Sequence, residues 1–325
     1  MAFMPRAVMP RHPPNQHDVE PVTMELRHYL LDIAAPHHKL ATTEKPTLKH
    51  ELPDKALRLQ RVDAAGILRA KRADGRTRLD VLRQDGSAKI RIPRSPDGPL
   101  EAVLINTAGG LTGGDRLSWR VEAGPGAHVV ATTQACEKAY RSAQGEARVG
   151  CAIAVSRDAS VAWMPQETIF YEGSALSRTL DADLVPGARL LAVEASVFGR
   201  LAHGETIQRL RFRDRWRIRR DGRLVHAEDF AIGPEAGSQL AAAPVTGGGT
   251  AMATVVLVAD DATGHLDVAR AIVGELGGAS AMEIAGTGKL LARLVAGTGF
   301  ELRKRLVPLL GLLNGQAGLP KVWSI

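Results

Sequence analysis

Turn signals interrupt this chain so often that no long periodic element can form across most of its length. From residue 57 onward, Asp74-Gly75, Asp85-Gly86, Pro96-Asp97-Gly98, Pro125-Gly126, Pro186-Gly187 and Asp221-Gly222 cut it into short runs. Such pairs supply the backbone conformations that tight turns require. Between them, residues 76–82, 126–133, 147–155, 159–163 and 188–193 alternate in polarity. Period-two alternation sends successive side chains to opposite faces of a strand. The expectation is a long, mainly β array without βαβ units.

The chain has 325 residues, 45% of them hydrophobic, enough for a sizeable core. No apolar run approaches the roughly 18 residues of a membrane-spanning helix. The opening MAFMPRAVMPRHPP places prolines where an export signal needs an unbroken apolar segment, so a cytoplasmic location is expected. Cys136 and Cys151 are the only cysteines, too few for a disulfide framework or a zinc finger.

Residues 1–56 differ in kind from the rest. They hold eight prolines and six of the ten histidines, with little periodicity beyond a short helical pattern over 24–33. They read as a flexible extension; a loose metal-collecting tail is the functional alternative, since imidazole suits nickel, copper and zinc. The β domain is expected over 57–325.

Net charge is +7, and its location matters more than its size. Residues 209–223, RLRFRDRWRIRRDGR, hold eight Arg against two Asp, which accounts for six of the seven surplus charges. Within this stretch Leu210, Phe212, Trp216 and Ile218 share one strand face, and Arg211, Arg213, Arg215, Arg217 and Arg219 share the other. Asp214 interrupts the apolar face. The stripe is either a solvated face guarding a sheet edge, a docking surface for an acidic partner, or a nucleic-acid contact. With aromatics at 4%, stacking platforms for single strands are thin.

Helices are expected only near the end. Leu266, Ala269, Ile272, Val273 and Leu276 follow a 3.6-residue period, stopped by Gly277-Gly278. Residues 289–296 fit a strand. Residues 300–313 form a second amphipathic segment with Leu302, Leu306, Leu309, Leu310 and Leu313 on one side and Arg303, Lys304 and Arg305 near the other. Pro308 inside it predicts a kink or break.

One loop concentrates glycine: 105-INTAGGLTGGD-115, with Gly109, Gly110, Gly113 and Gly114 around Thr112 and closed by Asp115. A dinucleotide turn needs glycine at i, i+2 and i+5 before a helix, and this spacing fails. Walker-type, nucleophile-elbow and His-Glu-x-x-His patterns are absent too. These glycines read as tight-turn residues, with Asp115 accepting backbone amides.

Four stretches, 105-INTAGGLTGGD-115, 131-ATTQACEKAYRS-142, 163-WMPQETIFYEGS-174 and 198-FGRLAHGE-205, with the closing 319-LPKVW-323, resemble the UreD (UreH) family of urease accessory proteins in order and spacing. The resemblance covers roughly 60–325. Cys136 departs from it, standing where the family more often has a small apolar residue, and residues 1–56 have no counterpart. It implies an elongated helicoidal β scaffold with a small C-terminal helical portion and no enzymatic activity. Such proteins bind apo-urease and recruit UreF and the GTPase UreG, so that nickel reaches the urease active site through the interior of the UreD-like subunit. No permanent cofactor is implied, only nickel in transit. Asp115, Glu137, Glu167, Glu172 and Glu205 fall within the matching motifs and are the candidates to line such a route, each with a bland alternative as turn cap, salt-bridge partner or surface carboxylate. Arg211, Arg213, Arg215 and Arg217 are the candidate partner contacts. The rivals are an Arg-stripe nucleic-acid module and a metal hydrolase built on His203 and Glu205.

Overall fold

The computed structural model describes residues 60–94 and 98–323. The extension expected over 1–56, with its short helix, lies outside them. Strands make up 52% of the structure, arranged as a solenoid-like helicoid of two sheets with a small helical portion near the C-terminus. This is the mainly β scaffold that the turn spacing and the family resemblance predicted.

The first sheet contains β1 (Asp63–Ala73), β2 (Arg76–Asp85), β5 (Arg116–Ala123), β8 (Ala147–Val155), β11 (Ala175–Leu184), β13 (Arg211–Arg220) and β14 (Arg223–Ile232), in the order β14-β13-β11-β8-β5-β1-β2. The second contains β3 (Ala88–Arg91), β4 (Leu100–Asn106), β6 (His128–Thr133), β9 (Ser160–Met164), β12 (Arg189–Phe198), β15 (Ala251–Ala259), β16 (Gly277–Ile284) and β17 (Thr287–Ala296), in the order β16-β17-β15-β12-β9-β6-β4-β3. Between β4 and β13 the chain passes back and forth between the sheets, so neighbours within each sheet run parallel. Parallel strands need a crossover, usually a helix. Here each crossover is a strand of the opposite sheet, which is why a parallel array forms without βαβ units.

The two sets of crossovers differ. Passage from the first sheet to the second uses short turns at 124–127, 156–159 and 185–188. Passage back uses the longer segments 107–115, 134–146, 165–174 and 199–210. Antiparallel hairpins finish the first sheet on both sides, and in their turns Asp74 and Gly75 (φ 51° and 73°) and Asp221 and Gly222 (φ 50° and 71°) take the paired positive φ of a two-residue connection.

Parallel register stacks side chains in rows between the sheets. One row on the first sheet runs Gly66, Trp119, Cys151, Leu180 and Trp216. A Cβ at position 66 would sit 2.3 Å from the Trp119 ring, so this glycine makes space for the indole. On the second sheet, Ala102, Ala131, Trp163 and Ala192 form a row of three small side chains and one large one. The far side of the second sheet packs on the helical portion, so β12 and β15 are buried on both faces and lose the polar alternation of an exposed strand.

The helices are α1 (Ala236–Ala241), α2 (Leu266–Val273) and α3 (Gly299–Asn314). Six-residue α1, between β14 and β15, departs from the expectation that helices occur only after it. The expected strand at 289–296 is β17. Of the kink or break expected at Pro308, the break does not occur, and α3 continues through that residue. Proline removes one intrahelical bond, but Leu302, Leu306, Leu309, Leu310 and Leu313 are all fully buried against the second sheet, and that burial outweighs one missing bond. The Thr298 hydroxyl accepts from the Glu301 amide and starts the helix.

Candidate functional site

The four long crossovers stack on one another at one edge of the helicoid. Short strands β7 (Glu137–Ala139) and β10 (Thr168–Phe170) lie between Leu111 and the end of β12, forming a narrow third ladder. Its rungs are backbone bonds: Leu111 N–H to the Lys138 carbonyl (2.7 Å), Glu137 N–H to Glu167 (3.0 Å), Tyr171 N–H to Ala139 (3.0 Å) and Gly199 N–H to Phe170 (2.8 Å). Leu111, Ala139, Phe170 and Phe198 form a buried row beneath them. Each of the four longer motifs that carried the family resemblance therefore supplies one layer of the same edge.

The glycines of 105–115 serve this stacking. At Gly110, φ is 150° and a Cβ would lie 2.2 Å from the Tyr140 ring and 2.9 Å from the Lys138 carbonyl. At Gly113 a Cβ would meet the Ser142 hydroxyl at 2.0 Å and the Gln144 carbonyl at 2.2 Å. The glycine density permits close approach of the next crossover, over and above making tight turns. Thr112 spans the same gap, donating its hydroxyl proton to the Arg141 carbonyl (2.8 Å).

The five candidate carboxylates all sit on this edge, each with protein partners. Asp115 is buried and accepts the Val62 amide (2.8 Å) on one oxygen and the Thr112 amide (2.7 Å) on the other, as its place in the loop predicted. Glu167 is gripped by both ends of the Arg303 guanidinium (2.6 and 3.1 Å) and accepts from the Cys136 thiol (3.4 Å). Glu172 accepts the Gln208 and Arg209 amides, and Glu205 pairs with Arg200 at 2.9 Å while accepting the Glu172 amide. Glu137 differs. It accepts from the Asn106 side-chain amide (3.1 Å) and the Lys138 N–H (3.0 Å), and burial pushes its carboxyl above the usual range, with the Asp115 charge adding to the rise. Burial and the Glu167 charge push the neighbouring Cys136 thiol up to about 11, so it stays protonated at neutral pH. Among the described residues no three His, Cys, Asp or Glu side chains converge on a point that would hold a metal ion.

Behind the ladder, between the sheets, lies a charge cluster that the sequence reading did not assemble. Arg178 on β11 reaches both oxygens of Asp214 on β13 (3.1 and 2.6 Å) and one oxygen of Glu194 on β12 (2.5 Å). The Trp163 indole N–H donates to the other Glu194 oxygen at 2.9 Å. Two carboxylates around one guanidinium leave a net negative charge in a buried space. Burial, only partly offset by Arg178, accordingly raises the Glu194 carboxyl to about 7. The one signal in the sequence was Asp214, a carboxylate set on an otherwise apolar strand face.

A second missed partner is Arg303. It does not stay on the solvent side of α3 but turns inward to Glu167 and Gln166. The closing residues dock beside it: the Trp323 indole donates to the Met164 carbonyl (3.1 Å), and the Gln166 amide donates to the Val322 carbonyl (3.1 Å). Thus 319–323 is read by 163–167, which joins two motifs far apart in sequence.

The arginine stripe begins at the end of this edge, where the Arg211 N–H donates to the Ser174 carbonyl (2.9 Å), and continues from there along the first sheet. Strand β13 is not a sheet edge, because β14 covers it, so its arginines do not guard against edge pairing. Arg213 is held by Asp229 (2.8 and 2.7 Å), Arg215 faces Asp181 at 3.8 Å, and Arg217 donates to the Trp216 and Glu228 carbonyls. Arg211 stands exposed at the start of the strand. His203 is exposed in a single turn at Leu201–His203.

Residues 62–324 match the family model described as UreD urease accessory protein. The chain is 54% identical over 269 residues to Urease accessory protein UreD 1 of Brucella melitensis, covering 83% of this chain and 96% of that one. It is 56% identical over 264 residues to Urease accessory protein UreD of Mesorhizobium japonicum, covering 81% and 94%. A helicoid whose motif-bearing crossovers build one edge, and likeness of this extent to named relatives, lead to one assignment: the chain belongs to the UreD family of urease accessory proteins.

Proposed function

We propose that the protein is a non-enzymatic scaffold in the cytoplasm that binds apo-urease, recruits UreF and with it the GTPase UreG, and passes nickel toward the urease active site. Nickel is cargo in this reading. The stacked-crossover edge is the path, and Glu137 is its principal contact. The observation that carries this assignment is the state of Glu137. Arg303 neutralises Glu167 and Arg200 neutralises Glu205; Glu137 receives only amide donors, as Asp115 and Glu172 do, but it is half-buried and burial pushes its carboxyl above the usual range, with the Asp115 charge adding to the rise. A carboxylate whose charge is disfavoured by burial gains most from a passing cation. With one strong oxygen donor and no convergent set, a borderline cation is held briefly and released. Protonated Cys136 does not compete for it. Contact between Glu137 and nickel strengthens as pH rises past the carboxyl's elevated pKa, because the proton must leave first.

The test is co-expression with the urease structural subunits, UreF and UreG, followed by capture of the complex and measurement of urease-bound nickel. Wild type supports assembly and loading. Glu137→Gln, nearly isosteric, is expected to assemble fully and load about tenfold less nickel. Loading at the wild-type level removes Glu137 from the path. Failure to capture urease with the wild-type chain removes the scaffold reading itself.

A further inference from the structure

Where the longer crossovers return to the first sheet, a hollow of about 150 Å³ opens between them. Its lining takes Ser142 from the crossover 134–146, Gly173 and Ser174 from 165–174, Arg209 from 199–210, and Arg211 from the start of β13. Backbone bonds fasten these walls to one another: Ser142 N–H to the Gly173 carbonyl (2.9 Å), Gly173 N–H to Arg209 (2.7 Å) and Arg211 N–H to Ser174 (2.9 Å). The fold therefore builds the hollow before anything enters it. Ser174 is 2% exposed, and its backbone is fully used, the N–H donating to the Tyr171 carbonyl at 3.0 Å. Its hydroxyl, by contrast, has no hydrogen-bond partner among the described residues. Native structures leave few buried polar groups in that state, because the bonds to water have been given up without replacement. Ser142 differs, since its hydroxyl donates to the Gly145 carbonyl (2.9 Å). Arg209 and Arg211 are exposed, and neither guanidinium makes an ion pair or hydrogen bond among the described residues. Glu172, the carboxylate next to this wall in sequence, has its oxygens taken by the Gln208 and Arg209 amides.

A water molecule would satisfy the Ser174 hydroxyl and leave both guanidinium groups as they are. An oxyanion answers all three, because a hydroxyl and a guanidinium fork are both donors to its oxygens. Size points the same way. At roughly 30 Å³ for each water-sized atom the hollow takes about five heavy atoms, the number in one phosphate, and it falls below the few hundred Å³ of organic-ligand sites. We propose that this hollow binds one inorganic phosphate ion, with the Ser174 hydroxyl donating to one oxygen and the Arg209 and Arg211 guanidinium groups closing over the others. Bound there, the ion ties the returns of two successive crossovers to the first residue of β13. The inference stands apart from the nickel reading, because none of the five candidate carboxylates lines the hollow.

Calorimetric titration of the full chain with inorganic phosphate, in about 150 mM sodium chloride where charges more than about 8 Å apart are screened, tests it. Saturable binding at one site per chain is expected. Ser174→Ala keeps the backbone bonds and removes only the unpartnered hydroxyl; it is expected to weaken binding about tenfold. Arg209→Gln combined with Arg211→Gln should weaken it at least as much. Arg72→Gln, a control beside the Pro125-Gly126 turn on the opposite, short-turn edge, should leave it unchanged. Absence of saturable binding, wild-type affinity in Ser174→Ala or in the double arginine variant, or equal weakening in Arg72→Gln overturns the proposal.

Discussion

The two edges of the helicoid are built from the same strands, yet only one carries the family's motifs. On the short-turn edge, 124–127, 156–159 and 185–188 do little more than reverse the chain, with Pro125-Gly126 and Pro186-Gly187 setting the turn. On the other, crossovers of nine residues or more hydrogen-bond to one another, bury Leu111, Ala139, Phe170 and Phe198, and carry the five candidate carboxylates. A solenoid needs its connections only to be short enough to close. Length beyond that, stabilised by its own ladder and its own glycines, is why the proposed function is placed on this edge.

Substitutions that strike one edge or the space behind it can break this contrast. The largest effect is expected from Arg178→Met, which leaves Glu194 and Asp214 facing each other with no cation: about 3–5 kcal/mol of stability lost, read by urea unfolding. A loss below about 1 kcal/mol would mean that the cluster contributes little to joining the sheets. Next, Gly113→Ala forces a Cβ against Ser142 and Gln144 and should cost about 1–3 kcal/mol, with faster amide exchange confined to 138–146. Gly187→Ala on the other edge meets nothing nearer than the Asp158 carboxylate at 3.3 Å; its cost is about 1 kcal/mol, from positive φ. If the two glycines cost the same and exchange rises equally at both edges, the crossovers are not a special structure.

A third prediction follows from Glu194. Its folded pKa, about 7, lies above the unfolded carboxylate value, so the native state holds a proton that the unfolded chain releases. Stability from this group is therefore present below the unfolded pKa and declines as pH rises toward 7. Glu194→Gln should flatten unfolding free energy between about pH 4.5 and 7 relative to wild type. An unchanged slope would place the proton elsewhere. The smallest effect is expected at the stripe: with Arg213 already paired to Asp229 on an exposed face, Arg213→Ser should leave the melting midpoint unchanged. If it also leaves assembly with urease and UreF unchanged, the stripe is a solvated face and not a docking surface.

The turn dipeptides and period-two runs made the strand content legible, and 147–155 coincides with β8. What they did not convey is that the strands run parallel, because local alternation says nothing about which distant strand lies alongside. Asp115 was legible as an amide acceptor, since a carboxylate closing a glycine loop has few other uses. The Arg178 and Arg303 contacts were not: each joins residues brought near only when successive coils stack, and their partners look like ordinary charged positions in sequence. At Pro308 the local rule left a kink or a break open, and burial of the leucine face, which a local rule does not register, decides that α3 continues.

The central claim is that the motif-bearing edge, and Glu137 on it, conducts the cation while the short-turn edge does not. Nickel bound per urease active site, compared between complexes assembled with Glu137→Gln and with Arg72→Gln, addresses it most directly. About a tenfold deficit is expected for the first and wild-type loading for the second, with both complexes captured in equal yield. Full loading with Glu137→Gln, or a deficit shared equally by both variants, would contradict it.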